Sequence, residues 1–492
     1  MLTPEQIKTL IDCDEASERK KMARTGLRYY RAQHDILGKR IFFFDADGKL
    51  QEDKTKVNTR ISHPFFTELV DQEVQYLLSG DGAIIKSDDP ELQKELDIRF
   101  NENDDFLSEL YDIATDAAIK GDGYAYRYKG ADGRSVFECA DSLGITEVRK
   151  SETDDGCQYI IYRYVERKDP YGRAIKRIQV WDDVQTWFYC QVDDGTIELD
   201  DSAEINPRPH TLYKKGNDAR RYIDGGFGAI PFYRMDYNRE RVSGLAPIKG
   251  LIDDYDVMNC GLSNNIEDTN EALYVVRGFE GDDLDELMQN IKAKKHIGVS
   301  DEGGVDVETV DIPVEARKTK MEIDERNIFR FGCGLNISDL KDTSATTSVA
   351  IKSAYTLLDM KANKLEMKMR KFLRAILRDV LQEINDTMGT DYQQTDVYFD
   401  FDREIVTNEL ENAQIDQAKA QTRQVEINTL LGLANKLDNE TLMQLICEQL
   451  DIDYNDIRDK LPEPEEVNDP YQASTMLGDM NTEPDDGGGL IE

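Results

Sequence analysis

No Cys-x-x-Cys pair occurs among the seven cysteines, Cys13, Cys139, Cys157, Cys190, Cys260, Cys333 and Cys447. Neither a zinc ribbon nor a disulfide framework is therefore indicated, and reduced structural thiols are expected. Histidine is scarce: His34, His63, His210 and His296 stand far apart, with no His-Glu-x-x-His and no His-Cys cluster. A zinc site or a histidine-based triad has no support in that spacing. The Gly-x-x-x-x-Gly-Lys-Ser/Thr loop is missing as well, so a P-loop ATPase is excluded by that test. No apolar run approaches the roughly eighteen residues of a membrane span, and the N-terminal stretch through Lys21 lacks the apolar core of a signal peptide. A chain that is intracellular when made, with no membrane partner, is expected.

Positive charge is in deficit too. Lys and Arg number 61 against 99 Asp and Glu, a net charge of −38. Tight nucleic-acid binding needs a basic groove, because phosphate contacts draw on Lys, Arg or backbone donors. The acidity serves solubility, or it makes a surface along which a duplex slides without sticking; composition alone favours solubility. With so many acids some carboxylates lie close by chance, so acid–base hydrolysis has no anchor in particular residues. No catalytic, cofactor or metal-ligating residue is singled out. The run from Asp451 to Asp456 opens like a calcium loop, but Asp456 stands where that loop needs Gly and Pro462 where it needs a bidentate Glu.

What is present is a chain of 492 residues, 39% of them hydrophobic, enough for a real core and roughly two to four domains. Residues 3–36 read as helical, and Arg40 to Phe44 as a short strand ended by the turn at Asp45 to Gly48. Phe65, Phe66, Leu69, Val70, Val74, Leu77 and Leu78 recur at helical spacing, as do Leu107, Leu110, Ile113, Ala114 and Ala117. From about 124 to 235 the pattern turns to β-branched and aromatic runs separated by Asp-Gly turns, an antiparallel region. Its tyrosines read as one face of a half-buried sheet rather than as a platform for stacking bases.

Helical spacing returns at 246–270, through Ile248, Leu251, Tyr255, Met258, Leu262 and Ile266. A compact insert over 272–312 predicts a strand at Leu273 to Arg277, a short helix at 282–292 and two further strands at 296–299 and 305–310. A helix from Val314 to about Phe331 ends at Gly332-Cys333-Gly334, and a polar loop leads to a long helix capped by Thr347 or Ser348. Its apolar face runs through Leu365, Met369, Phe372, Leu373, Ile376, Leu377, Val380, Leu381 and Ile384. About 40 residues at about 1.5 Å each make it about 60 Å long, more than one small domain buries unaided, so partners on both sides of it are expected. Between Ala350 and Arg378 it carries eight Lys or Arg and two acids, against the sign of the whole chain. That surface is either a solvated face or a meeting place for an acidic neighbour. After a strand near 396–401, residues 405–461 read as helical, with a helix start at Asp438 to Thr441 and a last helix at 452–461; nine acids and no Lys or Arg over 462–492 predict a disordered tail.

Four segments in this order resemble the portal, or head–tail connector, proteins of long-tailed double-stranded DNA bacteriophages, over about 58–461. They are Asn58-Thr-Arg-Ile-Ser-His-Pro-Phe-Phe-Thr-Glu-Leu-Val-Asp71, Ile119-Lys-Gly-Asp-Gly-Tyr-Ala-Tyr126, Asn327-Ile-Phe-Arg-Phe-Gly-Cys-Gly-Leu-Asn-Ile337 with Ser348-Val-Ala-Ile-Lys352, and Ile427-Asn-Thr-Leu-Leu-Gly432 with Asn439-Glu-Thr-Leu442. Where that family's loop usually ends in Ser-Gly before Val-Ala, Thr347-Ser348 stands here. None of the four is a catalytic motif.

The resemblance implies an α+β portal fold: a wing from 1–245 and 348–404, stem helices at 246–271 and 314–335, a small α/β clip at 272–313, a tunnel loop at 336–347, a helical crown at 405–461 and the acidic tail. It implies a non-enzymatic, homo-oligomeric ring, commonly of twelve subunits, at one vertex of the virion capsid, assembled in the host cytoplasm, in which the long helix and the paired stem helices bury their faces against neighbouring subunits. Double-stranded DNA passes through such a ring without sequence specificity during packaging, retention and ejection. Its partners would be terminase, a head-completion adaptor, and the major capsid and scaffold proteins. Channel-loop candidates are then Ser338, Asp339, Lys341, Asp342, Thr343, Ser344, Thr346 and Thr347, and Lys341 is the candidate phosphate contact. Channel-lining candidates on the stem are Asp253, Asp254, Asp256, Glu267 and Asp268, and subunit-interface candidates are Lys361, Lys364, Lys368, Arg370, Lys371, Arg374 and Arg378. Another phage head or tail protein is the rival structural reading, and an acidic hydrolase the rival enzymatic one.

Overall fold

A computed structural model describes residues 2–403 apart from 46, 55, 81, 131, 152–155, 215–221, 226, 270–272, 280–298, 309–312 and 337–347, and beyond them 423–425, 427–430, 432 and 439–449. The chain divides into two compact units, Met1–Val406 and Thr407–Glu492. In the first, Thr3 caps α1 (Pro4–Glu15) through a reciprocal box with Gln6, and Ser17 caps α2 (Glu18–Tyr30). Two capped helices therefore replace the single helical stretch expected over 3–36.

A hairpin of β1 (Phe42–Phe44) and β2 (Leu50–Glu52) follows, exposed at every position. Then come α3 (Phe65–Leu77), β3 (Ile85–Lys86), α4 (Pro90–Leu96) and α5 (Asp104–Lys120). Gly121 ends α5 in the left-handed region at φ 98°, and a Cβ there would lie 2.4 Å from the Arg241 carbonyl oxygen. Only glycine satisfies both demands.

The antiparallel region expected from the aromatic runs is present. Its strands are β4 (Asp122–Lys129), β5 (Ser135–Ala140), β6 (Ile145–Arg149), β7 (Cys157–Lys168), β8 (Ala174–Trp181), β9 (Gln185–Val192), β10 (Glu198–Leu199), β11 (Arg208–Pro209), β12 (Thr211–Lys214), β13 (Tyr222–Gly225) and β14 (Phe232–Asp236). They form a three-stranded sheet in the order β14-β4-β5, a six-stranded sheet in the order β10-β9-β8-β7-β6 with β11 on β9, and the hairpin β12-β13. Tyrosine hydroxyls donate to carboxylates on these sheets: Tyr124 to Glu147 at 2.8 Å, Tyr126 to Glu138 at 2.7 Å and Tyr128 to Glu138 at 2.6 Å. Rings held this way, with Tyr124 buried, belong to the fold rather than to a base-stacking surface.

The first unit continues with α6 (Lys249–Thr269), the antiparallel pair β15 (Leu273–Phe279) and β16 (Val299–Glu308), α7 (Val314–Gly332), α8 (Ser348–Met388) and β17 (Tyr398–Phe399), which pairs with β3. The insert between the two helices is thus a two-stranded ribbon in its described part, with one strand over 299–308 where two shorter ones were expected. In the second unit α9 (Asn439–Gln449) begins within the Asp438 to Thr441 start signal and buries Leu442 and Cys447. The expected helices at 282–292 and 452–461, the calcium-like run and the acidic tail lie outside the described residues.

One expectation is overturned by α8. At 41 residues it has the predicted length, but its apolar face does not wait for a neighbouring subunit. Leu365, Met369, Phe372, Leu373, Ile376, Leu377, Val380, Leu381 and Ile384 are all buried in the chain's own main core, with α3, α5 and the three-stranded sheet. The first unit is large enough to cover the helix because α3 and β14 converge on it from distant parts of the sequence.

Candidate functional site: the paired helices and their anchors

Helices α6 and α7 pack on each other, and polar contacts tie α7 to α6 and α6 to the body. Lys320 of α7 reaches Asp254 of α6 at 2.5 Å and also pairs with Asp324 one turn along its own helix. At the start of α6, Lys249 bridges Asp35 and Asp253, each at 2.7 Å, and the Tyr29 hydroxyl donates to Asp253. Burial works against ionisation of Asp35, but Lys249 and Arg28 outweigh it and lower its pKa to about 2.

The tightest anchor is Asp256. Its side chain is fully buried; one carboxylate oxygen accepts from His34 Nδ1 at 2.6 Å, and the other from His63 Nδ1 at 2.7 Å and the His63 backbone N–H at 3.1 Å. Burial works to raise its pKa, and the hydrogen bonds from the two histidines overcome that, so it is held below the usual carboxylate range. Tyr29 stacks on His34 with ring centroids 4.3 Å apart. Around this point the strap 58–63 lies along α6: Thr59 N–H donates to Asn264 Oδ1 at 2.7 Å and Ile61 N–H to Cys260 Sγ at 3.2 Å.

The sequence reading missed this cluster because its histidines stand 29 positions apart. The signal available was His63 inside the Asn58 to Asp71 segment, whose ring turns back onto α6. Among the described residues no group of three or more His, Cys, Asp or Glu could hold a metal ion, and all seven cysteines are free.

The five acids proposed for the channel wall have different environments. Asp256 is withdrawn, because a fully buried carboxylate satisfied by two histidines cannot face a lumen. Asp253 and Asp254 are paired with Lys249 and Lys320. Glu267 is exposed, and the side chain of Asp268 lies outside the described residues. All eight channel-loop candidates, Lys341 included, also lie outside them.

The basic residues of α8 divide as well. Lys361 pairs at 2.9 Å with Glu73, which is buried, so it acts inside the subunit and is withdrawn from the interface set. Arg370 pairs with Glu366 at 2.7 Å and Arg378 with Asp379 at 2.9 Å, while Arg374 lies over the Phe399 ring. Lys364 and Lys371 are exposed, Lys368 is half-buried, and none of the three has an ion-pair partner among the described residues. Met360 and Met367, exposed at 54% and 65%, stand on the same stretch.

At its far end α8 is held by Glu383. This carboxylate accepts from Arg99 at 2.7 Å, from the Ser135 hydroxyl at 2.6 Å, from Arg127 at 3.4 Å and from Lys129. Burial would raise its pKa, but Lys129, Ser135 and Arg99 lower it to about 2.

Comparison with known proteins places this arrangement. The family model described as phage portal protein, SPP1 Gp6-like, matches residues 9–453. The portal protein of Bacillus phage SPP1 is 29% identical over 393 residues, covering 79% of this chain and 75% of that protein. The portal protein of Clostridium phage phiCD119 is 24% identical over 426 residues, covering 84% and 88%. Among solved structures, a chain from the neck of an empty GTA particle computed with C6 symmetry is similar at a TM-score of 0.40 and 13% identity, covering 78% of this chain and 90% of that one.

Proposed function

This chain belongs to the SPP1 Gp6-like family of phage portal proteins, and from that membership we propose that it assembles into a ring at one capsid vertex through which DNA is packaged, retained and ejected. The match to residues 9–453 carries this reading, because it spans the helix pair, the ribbon and the long helix together. A portal protein is a structural part of the particle and not an enzyme.

In this reading α6 and α7 are the stem, and the ribbon β15–β16 belongs to the clip. The clip docks terminase during packaging and the head-completion adaptor afterwards; residues 1–245 and 348–404 form the wing, 336–347 the tunnel loop and 405–461 the crown. The anchors at Asp256, Lys249 and Lys320 support it, since a channel wall must keep its position while a long polymer moves past. The lumen draws its repulsive charge from Glu267 and Asp268, with Asp253 and Asp254 muted by their lysines. Lys364, Lys368 and Lys371, with Met360 and Met367, are the part of the basic face left over for another protein of the particle or a neighbouring subunit.

Negative-stain images of the purified chain test the proposal: rings with an axial hole are expected, and a population that stays monomeric at micromolar concentration overturns it. Lys341→Ala in assembled rings should lower the rate of DNA packaging, and an unchanged rate would remove Lys341 as a phosphate contact.

A further inference from the structure

Helix α7 ends in a crowded turn against α3. The Gly334 N–H donates to the Phe329 carbonyl at 2.9 Å and the Cys333 N–H to the Arg330 carbonyl at 3.4 Å, the pair of bonds that closes a helix when the residue just past its end is left-handed. Cys333 is that residue, at φ 54°. The glycines on either side of it allow a close approach: a Cβ on Gly332 would lie 2.6 Å from Leu69 Cδ1, and one on Gly334 2.1 Å from Leu69 Cδ2. Leu69 is 1% exposed in the main core and has no room to yield.

Directly after the turn, Gln72 of α3 grips the chain. Its Oε1 accepts from the Leu335 N–H at 2.8 Å, and its Nε2 donates to the Leu335 carbonyl at 3.0 Å and to Glu68 at 3.1 Å. A single side-chain amide thus satisfies both backbone groups of Leu335, as a neighbouring strand would. The next residue of α3 reaches the other side of the connection. Glu73, which is buried, accepts from the Tyr237 hydroxyl at 2.9 Å and pairs with Lys361 of α8 at 2.9 Å. One turn on from Gln72, Tyr76 packs with Leu358, Ala362 and Tyr355 of α8. A short stretch of α3 therefore holds the chain both where it leaves α7 and in the first half of α8.

We propose that Gln72, Glu73 and Tyr76 are positioning residues for the segment that joins α7 to α8, fixing both of its roots to one helix so that their separation stays constant while DNA passes. That helix is itself immobilised, because Phe66, Leu69, Val70, Val74 and Leu77 of α3 belong to the main core. Load on the segment is taken up at Leu335, by the two hydrogen bonds and the packed turn, before it reaches the body of α7. In the reading above the segment is the tunnel loop, and the inference rests on that reading for its bearing on DNA.

Two measurements on the full chain with Gln72→Ala test it. The Leu335 amide should exchange its hydrogen about tenfold faster than in the parent, the effect of one lost hydrogen bond on a local opening. The amides of α7 from Lys320 to Ile328 and the thermal melt should not change. A Leu335 amide as slow as the parent's overturns the proposal, whatever the chain does in a particle. Rings of the variant should form as the parent's do but package DNA at about half the parent's rate or less. An unaltered rate would make Gln72 a local contact only and overturn its positioning role, while leaving the portal reading standing. A parent chain that forms no rings would overturn that reading and this role together. If Gln72→Ala fails to fold, Gln72→Glu decides: it keeps the side chain's length and sets a carboxylate oxygen against the Leu335 carbonyl. The packaging rate should again fall, and a rate equal to the parent's would sink the proposal.

Discussion

Asp256 is fully buried and makes its hydrogen bonds to His34 and His63 across 222 and 193 positions of sequence. Removing a buried charged partner leaves the others unsatisfied, so Asp256→Ala should cost about 3 kcal/mol, read from urea unfolding. An unchanged midpoint would show that the anchor is not structural. Glu383 makes a prediction about pH. Its folded pKa of about 2 lies below its ordinary 4.5, so its contribution is fully present above pH 4.5 and is lost as pH falls from there through about 2. By the conversion of pKa shift to free energy it amounts to about 3 kcal/mol. Glu383→Gln should therefore be less stable than the parent near pH 7 by about that much, and the gap should close on acidification. A gap independent of pH would contradict the assignment. In the sequence Asp256 stood out only as one of five stem acids, in the role of a channel wall, and Glu383 not at all, because an acid in a chain with 99 of them gains meaning only from what it touches.

For whole elements the sequence was more informative. The spacing of Leu365, Met369, Phe372, Ile376 and Val380 foretold a long helix with one apolar face, and α8 runs over Ser348–Met388 as expected. What the spacing could not say is which surface covers that face. Periodicity reports that a side must leave water; the surface that meets it depends on α3 and β14, both more than a hundred residues earlier in the chain. Phe372, 1% exposed in the main core, separates the two readings. Phe372→Ala should destabilise the subunit itself by about 3–5 kcal/mol, measurable by urea unfolding under conditions where no ring forms. A variant whose monomer is unaffected and whose rings alone are weakened would restore the intersubunit reading. The tyrosine-rich strands show the opposite balance: their aromatic alternation sufficed for a half-buried sheet, and the structure adds the carboxylates that receive their hydroxyls.

On the scale of the molecule, the acidic segment 462–492 has no Lys or Arg and too little apolar content to contribute a core. A chain ending at Leu461 should form rings as the full chain does, by mass photometry at equal concentration; loss of assembly would make the segment structural. The sequence by itself determined the α+β class, the broad succession of helical and strand-rich regions, the break at Gly332 to Gly334 and the family, because local periodicity, turn residues and short motifs are written in neighbouring positions. Tertiary structure alone decided that Asp256 is an anchor instead of a channel acid, that Lys361 is spent on Glu73 inside the subunit, and that the long helix is covered by its own chain. Each of these depends on a partner distant in sequence. Burial and charge pairing are properties of the surfaces that folding brings together, and no local pattern contains them.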